Sequence, residues 1–315
     1  MRRVATFGRY LRAHYGVPVR KIPLSIPGFT CPNIDGSLGR GGCSYCENES
    51  FSPNLTTRLQ QSLSFDSANP FLADQLTALR QQYRKSATWY RQNHGVRHFI
   101  AYFQSFSNTY APLQTLKALY QEALRQPGCV GLSIGTRADC LKEESIDYLA
   151  KLAKKHDLWV EIGVQSSHEA TLEATNRMER YEAIAQSIQT LADRGIRVCA
   201  HLIFGLPDES EAQMLQSVER VCALPIASIK FHPLYVVENT ALAAEYRTGS
   251  FTPIDEARYV AVLTEALLQL PPSITVQRIS AGVDDGSLIA PLWCRDKNRL
   301  MGAIRKALYH KGVLY

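Results

Sequence analysis

The chain has 315 residues, 45% of them hydrophobic and 20% charged, with a formal net charge of +6. This composition fits a folded α/β protein of one large domain or two small ones, and no apolar run is long enough to span a bilayer. The basic start Met1-Arg2-Arg3-Val4-Ala5-Thr6 lacks an apolar signal core, and the eight cysteines show no evident disulfide framework, so a reducing, cytoplasmic setting without a membrane partner is expected.

The excess charge lies at the two ends. Residues 1–34 hold Arg2, Arg3, Arg9, Arg12, Arg20 and Lys21 without a single acid, and residues 295–311 hold Arg295, Lys297, Arg299, Arg305, Lys306 and Lys311 against Asp296. Such ends suit either a phosphate-rich partner or a solvated face. A first strand is expected over 22–28. Directly after it come Cys31, Cys43 and Cys46, spaced C-x11-C-x2-C, with Gly36, Gly39, Gly41 and Gly42 between them. Three thiolates can hold three irons of a cubane [4Fe–4S] cluster and leave the fourth iron open to a substrate or cofactor. A structural zinc site would call for a fourth close ligand, and His14 and His94 are distant. Ordinary buried thiols are the third reading. The glycines suit a loop that bends tightly.

Further strands are expected over 98–104, 130–136, 158–164, 197–204 and 228–234. Helical patterns fall between them at 71–93, 112–126, 142–155, 168–174 with 181–194, and 209–222. This alternation predicts a parallel sheet with helices outside, a partial (βα)6 TIM-like barrel. The runs Val130-Gly-Leu-Ser-Ile and Cys199-Ala-His-Leu-Ile-Phe are mostly apolar, as in strands buried on both faces. Residues 1–235 would form this core. Residues 236–315 would be a C-terminal extension that closes the open edge, with a helix over 255–270, a seventh extended run at 274–279, a Gly/Asp turn and a basic helix near 296–310. Ligands of parallel α/β sheets sit at the carboxyl ends of the strands, and the Cys loop follows the first strand.

At this point the chain resembles the radical S-adenosylmethionine (SAM) superfamily, and within it the YhcC/YtqA family near the Elp3 and coproporphyrinogen dehydrogenase type. The resemblance covers almost the whole chain. It is carried by Gly28-Phe29-Thr30-Cys31-Pro32-Asn33 with Gly41-Gly42-Cys43-Ser44-Tyr45-Cys46, Ala101-Tyr102-Phe103-Gln104, Gly135-Thr136-Arg137-Ala138-Asp139-Cys140, Glu161-Ile162-Gly163-Val164-Gln165-Ser166 and Asn176-Arg177. His201-Leu202-Ile203-Phe204-Gly205-Leu206-Pro207, Lys230-Phe231-His232-Pro233-Leu234 and Ala290-Pro291-Leu292-Trp293 complete it. The resemblance implies a [4Fe–4S] cluster on Cys31, Cys43 and Cys46, and SAM on its open iron. It also implies reductive cleavage of SAM to a 5′-deoxyadenosyl radical that abstracts hydrogen.

By position, the resemblance implies that Tyr45 packs near adenine, Gln165 meets the ribose and Arg177 pairs with the SAM carboxylate. It implies that the Gly205-Leu206-Pro207 turn lies against adenine. Gln104 stands where many relatives carry a Gly-Gly-Glu contact to the methionine amino group, and here the stretch reads Tyr102-Phe103-Gln104-Ser105. A loop aromatic is the alternative for Tyr45, and a surface ion pair with Glu173 or Glu179 is the alternative for Arg177. Glu161 and Arg137 are catalytic candidates that face one mouth and either pair with each other or leave Arg137 for a substrate anion. His201 reads as a core histidine. Cys140 and Cys294 are candidate active-site thiols or buried cysteines, whereas Cys129, Cys199 and Cys222 read as core. Members of the family implied by the resemblance remodel wobble-uridine side chains, so tRNA is the expected substrate and a flavodoxin or ferredoxin the expected reductase. Radical chemistry on a small molecule or peptide, and a zinc-stabilised RNA-binding module without catalysis, are the competing readings.

Overall fold

The computed structural model describes residues 1–48, 62–280 and 286–315. Seven parallel strands form its centre: β1 (Val19–Leu24), β2 (His98–Phe103), β3 (Cys129–Thr136), β4 (Asp157–Gln165), β5 (Arg197–Phe204), β6 (Ser228–Pro233) and β7 (Thr275–Arg278). They neighbour one another in chain order, which leaves β1 and β7 as the sheet edges. Helix α1 (Phe7–Tyr15) precedes β1. The links between strands carry α2 (Leu72–His94), α3 (Leu113–Leu124), α4 (Glu143–Ala153), α5 (Glu169–Ala174), α6 (Tyr181–Asp193) and α7 (Glu211–Cys222). Two more helices, α8 (Ala241–Thr248) and α9 (Glu256–Gln269), lie between β6 and β7, and α10 (Lys297–His310) follows β7.

Six strands are expected from the alternation, and the sheet has seven. The run expected at 274–279 joins it, because Ser228 and Ile229 of β6 register with Thr275 and Val276. The first strand stops at Leu24, short of the expected 28. Beyond it the Ser25 backbone turns to the Gln82 side chain of α2, donating to Oε1 at 2.8 Å and accepting from Nε2 at 2.8 Å. Pro23 is tolerated because β1 is an edge strand. The Gly/Asp turn expected after Ile279 falls largely on 281–285, outside the described residues.

Alternation along each strand decides what faces the centre. In β4, Leu158, Val160, Ile162 and Val164 point outward into the main core under the helices. Full burial of each such side chain contributes about 1.5–3 kcal/mol. Trp159, Glu161, Gly163 and Gln165 occupy the other parity. Trp159 lies in a separate apolar cluster, and the other three line a cavity. Burial on both faces is as expected, but the second face encloses a largely polar interior. Lys21 Nζ on β1 bonds Oε1 of Gln277 on β7 at 2.5 Å, so the sheet curls until its two edges approach.

Helix α1 plugs the N-terminal end of this half-barrel. Its Phe7 and Leu11 pack with Val19, Ile100 and Trp159, and the Phe7 and Trp159 rings meet edge-on at 5.0 Å. Just before it, Ala5 O accepts from Val276 N at 2.7 Å. Arg2 and Arg3 pair in parallel with Val313 and Leu314, so the two basic ends of the sequence meet there, at the end of the sheet away from the Cys loop.

Candidate active site

The Cys loop leaves β1 and lies across the carboxyl ends of the strands. Thr30 O accepts from Ser107 N at 3.1 Å, and Ser44 N donates to Thr175 O at 3.0 Å. Cys43 is buried, Cys31 and Cys46 are half-buried, and none is in a disulfide. All three line one cavity of about 560 Å³. Burial raises the Cys31 thiol above its ordinary range and raises Cys46 further. Gly41 and Gly42 adopt φ of +82° and +79°, which glycine supplies at low cost. Among the described residues no three His, Cys, Asp or Glu side chains converge on a single-ion site.

Two asparagines lock the loop in place. Asn33 Nδ2 donates to Asn176 O at 2.6 Å, and Asn176 Nδ2 donates to Gly42 O at 2.7 Å. Asn176 is left-handed, at φ +52°, a conformation its short polar side chain tolerates. Next to it, Arg177 is buried. Its Nη2 donates to Gly163 O at 2.6 Å and pairs with Glu179 at 2.5 Å, and its Nη1 lies 4.0 Å from Cys43 Sγ. The Glu179 partner is thus as expected, but the pair is internal and not on the surface. Gln165 ends β4 at φ +70°. A Cβ on Gly163 would stand 2.6 Å from Gln165 Nε2 and 3.2 Å from Arg177 Nη2, so the glycine makes room for both side chains. Tyr45 and Gln104 line the same cavity, and the Tyr45 hydroxyl is buried without a hydrogen bond among the described residues.

Glu161 and Arg137 both line the cavity and do not pair. Arg137 forks onto Asp139 at 2.9 and 2.6 Å and donates to Arg177 O at 3.1 Å. Its charge is spent on holding the segment that carries Arg177. Glu161 is instead the centre of a buried ionic layer. Its carboxylate accepts from Lys21, Lys230 and Ser133, and from His201 Nε2 at 2.8 Å. Lys21 also donates to Ser133 at 2.9 Å, and Lys230 to Tyr102 at 3.2 Å. Burial opposes charge on Glu161, yet Lys21, Lys230 and His201 hold it well below the ordinary carboxylate range. Burial and Lys230 lower His201 to about 4, so His201 is neutral and donates its Nε2–H. Burial, with Lys21 nearby, lowers Lys230 to about 8.

Gly205, Pro207, Cys140 and Cys294 are not among the cavity-lining residues. A Cβ on Gly205 would meet Ile254 Cγ2 at 2.7 Å, and Leu206 packs in a small apolar cluster that Tyr45 adjoins. Cys140 lies behind Arg137, with Sγ 3.3 Å from Asp139 Oδ1, and Cys294 packs with Val237 and Leu288. Lys21, Ser133, Tyr102, Lys230, His232 and Arg278 were not foreseen as a group. Strand parity was a signal for part of the group, since Ser228, Lys230 and His232 stand at every second position of β6.

The Radical SAM superfamily model matches residues 38–221, and the Radical_SAM C-terminal domain model matches residues 226–310. Protein YhcC of Escherichia coli (strain K12) is 33% identical over 311 residues, which is 98% of this chain and 94% of that protein. The tRNA uridine(34) acetyltransferase of Methanocaldococcus infernus is 29% identical over 158 residues, 49% of this chain and 29% of that protein. Among solved structures, the archaeal Methanocaldococcus infernus Elp3 with an N-terminus deletion (1-46) superposes with a TM-score of 0.64 at 18% identity, covering 93% of this chain and 64% of that one, a likeness of fold. With one family model over more than half its length and a relative alike along nearly all of it, the chain belongs to the radical SAM superfamily, whose cofactors are a [4Fe–4S] cluster and SAM, and within it to the family of YhcC.

Proposed function

We propose that this radical SAM protein cleaves SAM at a [4Fe–4S] cluster and modifies the side chain of a wobble uridine in tRNA. The observation that carries the reading is one cavity that starts at Cys31, Cys43 and Cys46 and continues to Glu161, His201 and Arg278. The cysteine end fits the two cofactors. A cubane spreads its thiolates over separate irons, so three cysteines need not converge on one point. The Tyr45 hydroxyl and Arg177 Nε are buried polar atoms without hydrogen bonds among the described residues, and Gly163 leaves space where a side chain would stand. When bound, the cluster and SAM together supply one-electron reduction and hydrogen-atom abstraction.

The chain's own residues bind, orient and exclude water. Cys31, Cys43 and Cys46 are the iron ligands in this reading. Arg177 offers a fixed guanidinium to the SAM carboxylate, Gln165 an amide to the ribose, and Tyr45 and Gln104 wall the space between. Arg137 is a positioning residue that acts through the Arg177 segment. Enclosure by the Cys loop keeps water and stray hydrogen donors away. The tRNA part is supported by the relative named for tRNA uridine(34), which matches half of the chain, and by the positive net charge. The reaction would process a carboxymethylaminomethyl group toward aminomethyl. Loss of hydrogen and one electron from the carbon beside nitrogen gives an imine, and water cleaves its C–N bond to the amine and glyoxylate. The oxidation is matched by reductive cleavage of SAM, with flavodoxin or ferredoxin as the electron source in the cytoplasm.

The test compares modified nucleosides in total tRNA from cells with and without the gene. A wobble uridine that changes on deletion, and is restored by the parent gene but not by Cys43→Ala, is the expected result. An unchanged nucleoside profile overturns the tRNA assignment.

A further inference from the structure

At the cysteine end of the cavity, Arg137 and Arg177 face Asp139 and Glu179. At the far end the balance is lost. Arg278 lines the cavity there, and Glu161, the one carboxylate among the described lining residues, is held by Lys21 and Lys230 behind it. Both lysines are already bonded to that carboxylate. Arg278 is half-buried and pairs in backbone register with Lys230. Among the described residues its guanidinium has no ion pair or hydrogen bond. His232 lies two residues beyond Lys230 on the same face of β6. Its ring sits 5.9 Å from that of His201, and it too has no hydrogen bond among the described residues. Burial, then Arg278, His201 and Lys230, keep His232 well below its ordinary range, so the ring is neutral and carries one N–H to donate. A half-buried guanidinium without a counter-charge among the described residues carries a desolvation cost that an anion would offset.

We infer that Arg278, with His232 beside it, is an anion subsite that receives a carboxylate of the substrate at the end of the cavity opposite the cysteines. It deepens the function proposed above, because it assigns the carboxymethyl end of the side chain to named residues. The planar fork of Arg278 matches a carboxylate, and phosphate would use the same donors. The Glu161 layer closes the cavity beneath, which suits one short side chain and not a polynucleotide backbone.

The experiment uses oxygen-free, cluster-loaded protein with SAM, titrated calorimetrically with the nucleoside 5-carboxymethylaminomethyluridine, its carboxamide, and inorganic phosphate. The parent is expected to bind the acid about tenfold more tightly than the amide, the scale of one charge-assisted contact. Arg278→Gln should abolish that preference, Arg278→Lys should keep part of it, and His232→Gln should weaken it. Equal binding of acid and amide by the parent, no binding of the acid at millimolar concentration, or a full preference in Arg278→Gln overturns the subsite. Phosphate competing through Arg278 as well as the acid overturns the choice of carboxylate. The nucleoside needs no tRNA. An Arg278-dependent acid preference beside an unchanged cellular tRNA profile therefore sinks the tRNA reading alone, and the reverse pattern sinks the subsite alone.

Discussion

At the cysteine end of the cavity two arginines are matched by two carboxylates, and asparagine side chains take up loop carbonyls at 2.6 and 2.7 Å. At the other end, where β1, β4, β5, β6 and β7 meet, one buried carboxylate is shared by two lysines and a histidine, and Arg278 has no ion pair among the described residues. The first arrangement is balanced in charge and held by its own bonds, and is pre-organised for ligands of one fixed shape. The second keeps its layer together through a single residue and leaves donors turned to the cavity. In the proposed reading, the contrast separates the cofactor site from the part of the molecule open to a particular substrate.

Breaking the cysteine end should have the largest effect. Replacing Cys43 with Ala, or Cys31 or Cys46 in turn, removes a thiolate and should abolish the cluster, seen as lost iron and lost visible absorbance in anaerobic protein. Full iron content with retained SAM cleavage in Cys43→Ala would refute the ligand assignment. The opposite end is predicted to break by unfolding. Glu161→Gln leaves Lys21 and Lys230 without their counter-charge and should cost about 3 kcal/mol, the lower part of the range for a broken buried pair because Lys21 is partly exposed. Urea titration of the cluster-free protein measures it, and an unchanged midpoint would show that water satisfies both lysines.

A weaker effect is expected at Arg177. With Ala there, the iron should stay while SAM affinity falls by about 1.5–3 kcal/mol, the range for hydrogen bonds to charged groups. Lys should not restore it fully, since it lacks the fork. Gln165→Ala should act in the same direction and less. Parent-like SAM binding by Arg177→Ala, read by calorimetry, would make Arg177 purely a clamp on Gly163 and Glu179.

The ionic layer also predicts a pH response. His201 is lowered from its ordinary value to about 4, so between these values the unfolded chain binds the proton and the folded one does not. Stability is therefore present above the unfolded pKa and lost as pH falls toward about 4. The contribution is about 2 kcal/mol, discounted because the ring is partly exposed to the cavity. His201→Asn should flatten the slope of unfolding free energy over that range, and an identical slope would place the titration elsewhere. The smallest effect is expected from the joined basic ends. Arg3, Arg12 and Arg305 are exposed, and the chain ends meet away from the Cys loop, while Arg2 is bonded to Leu268 O and Arg299 to Glu256. Reversing Arg3, Arg12 and Arg305 should lower tRNA affinity by less than about threefold, with little change in its salt dependence. A loss of several phosphate contacts in the salt slope would mean that RNA reaches the plugged end of the half-barrel.

Much of this molecule is legible along the chain. The alternation of short apolar runs with helical periods determines the parallel sheet, because each strand must bury one face and each crossover needs a helix. The C-x11-C-x2-C spacing, its glycines and Asn176-Arg177 mark the cysteine end, because a tight loop and its clamp are local chemistry. Strand parity was available too, but Lys21 fell outside the expected first strand, and Lys230 stands between hydrophobic neighbours. Only the tertiary structure decided that Glu161 meets Lys21, Lys230 and His201 and not Arg137. Those partners lie 140, 69 and 40 residues away along the chain, and curling of the sheet is what brings their side chains together. The same curl joined the basic ends at the plugged end and turned Arg278 into the cavity, since a side chain's neighbours across a closed interior are set by strand order and register, which no local pattern encodes.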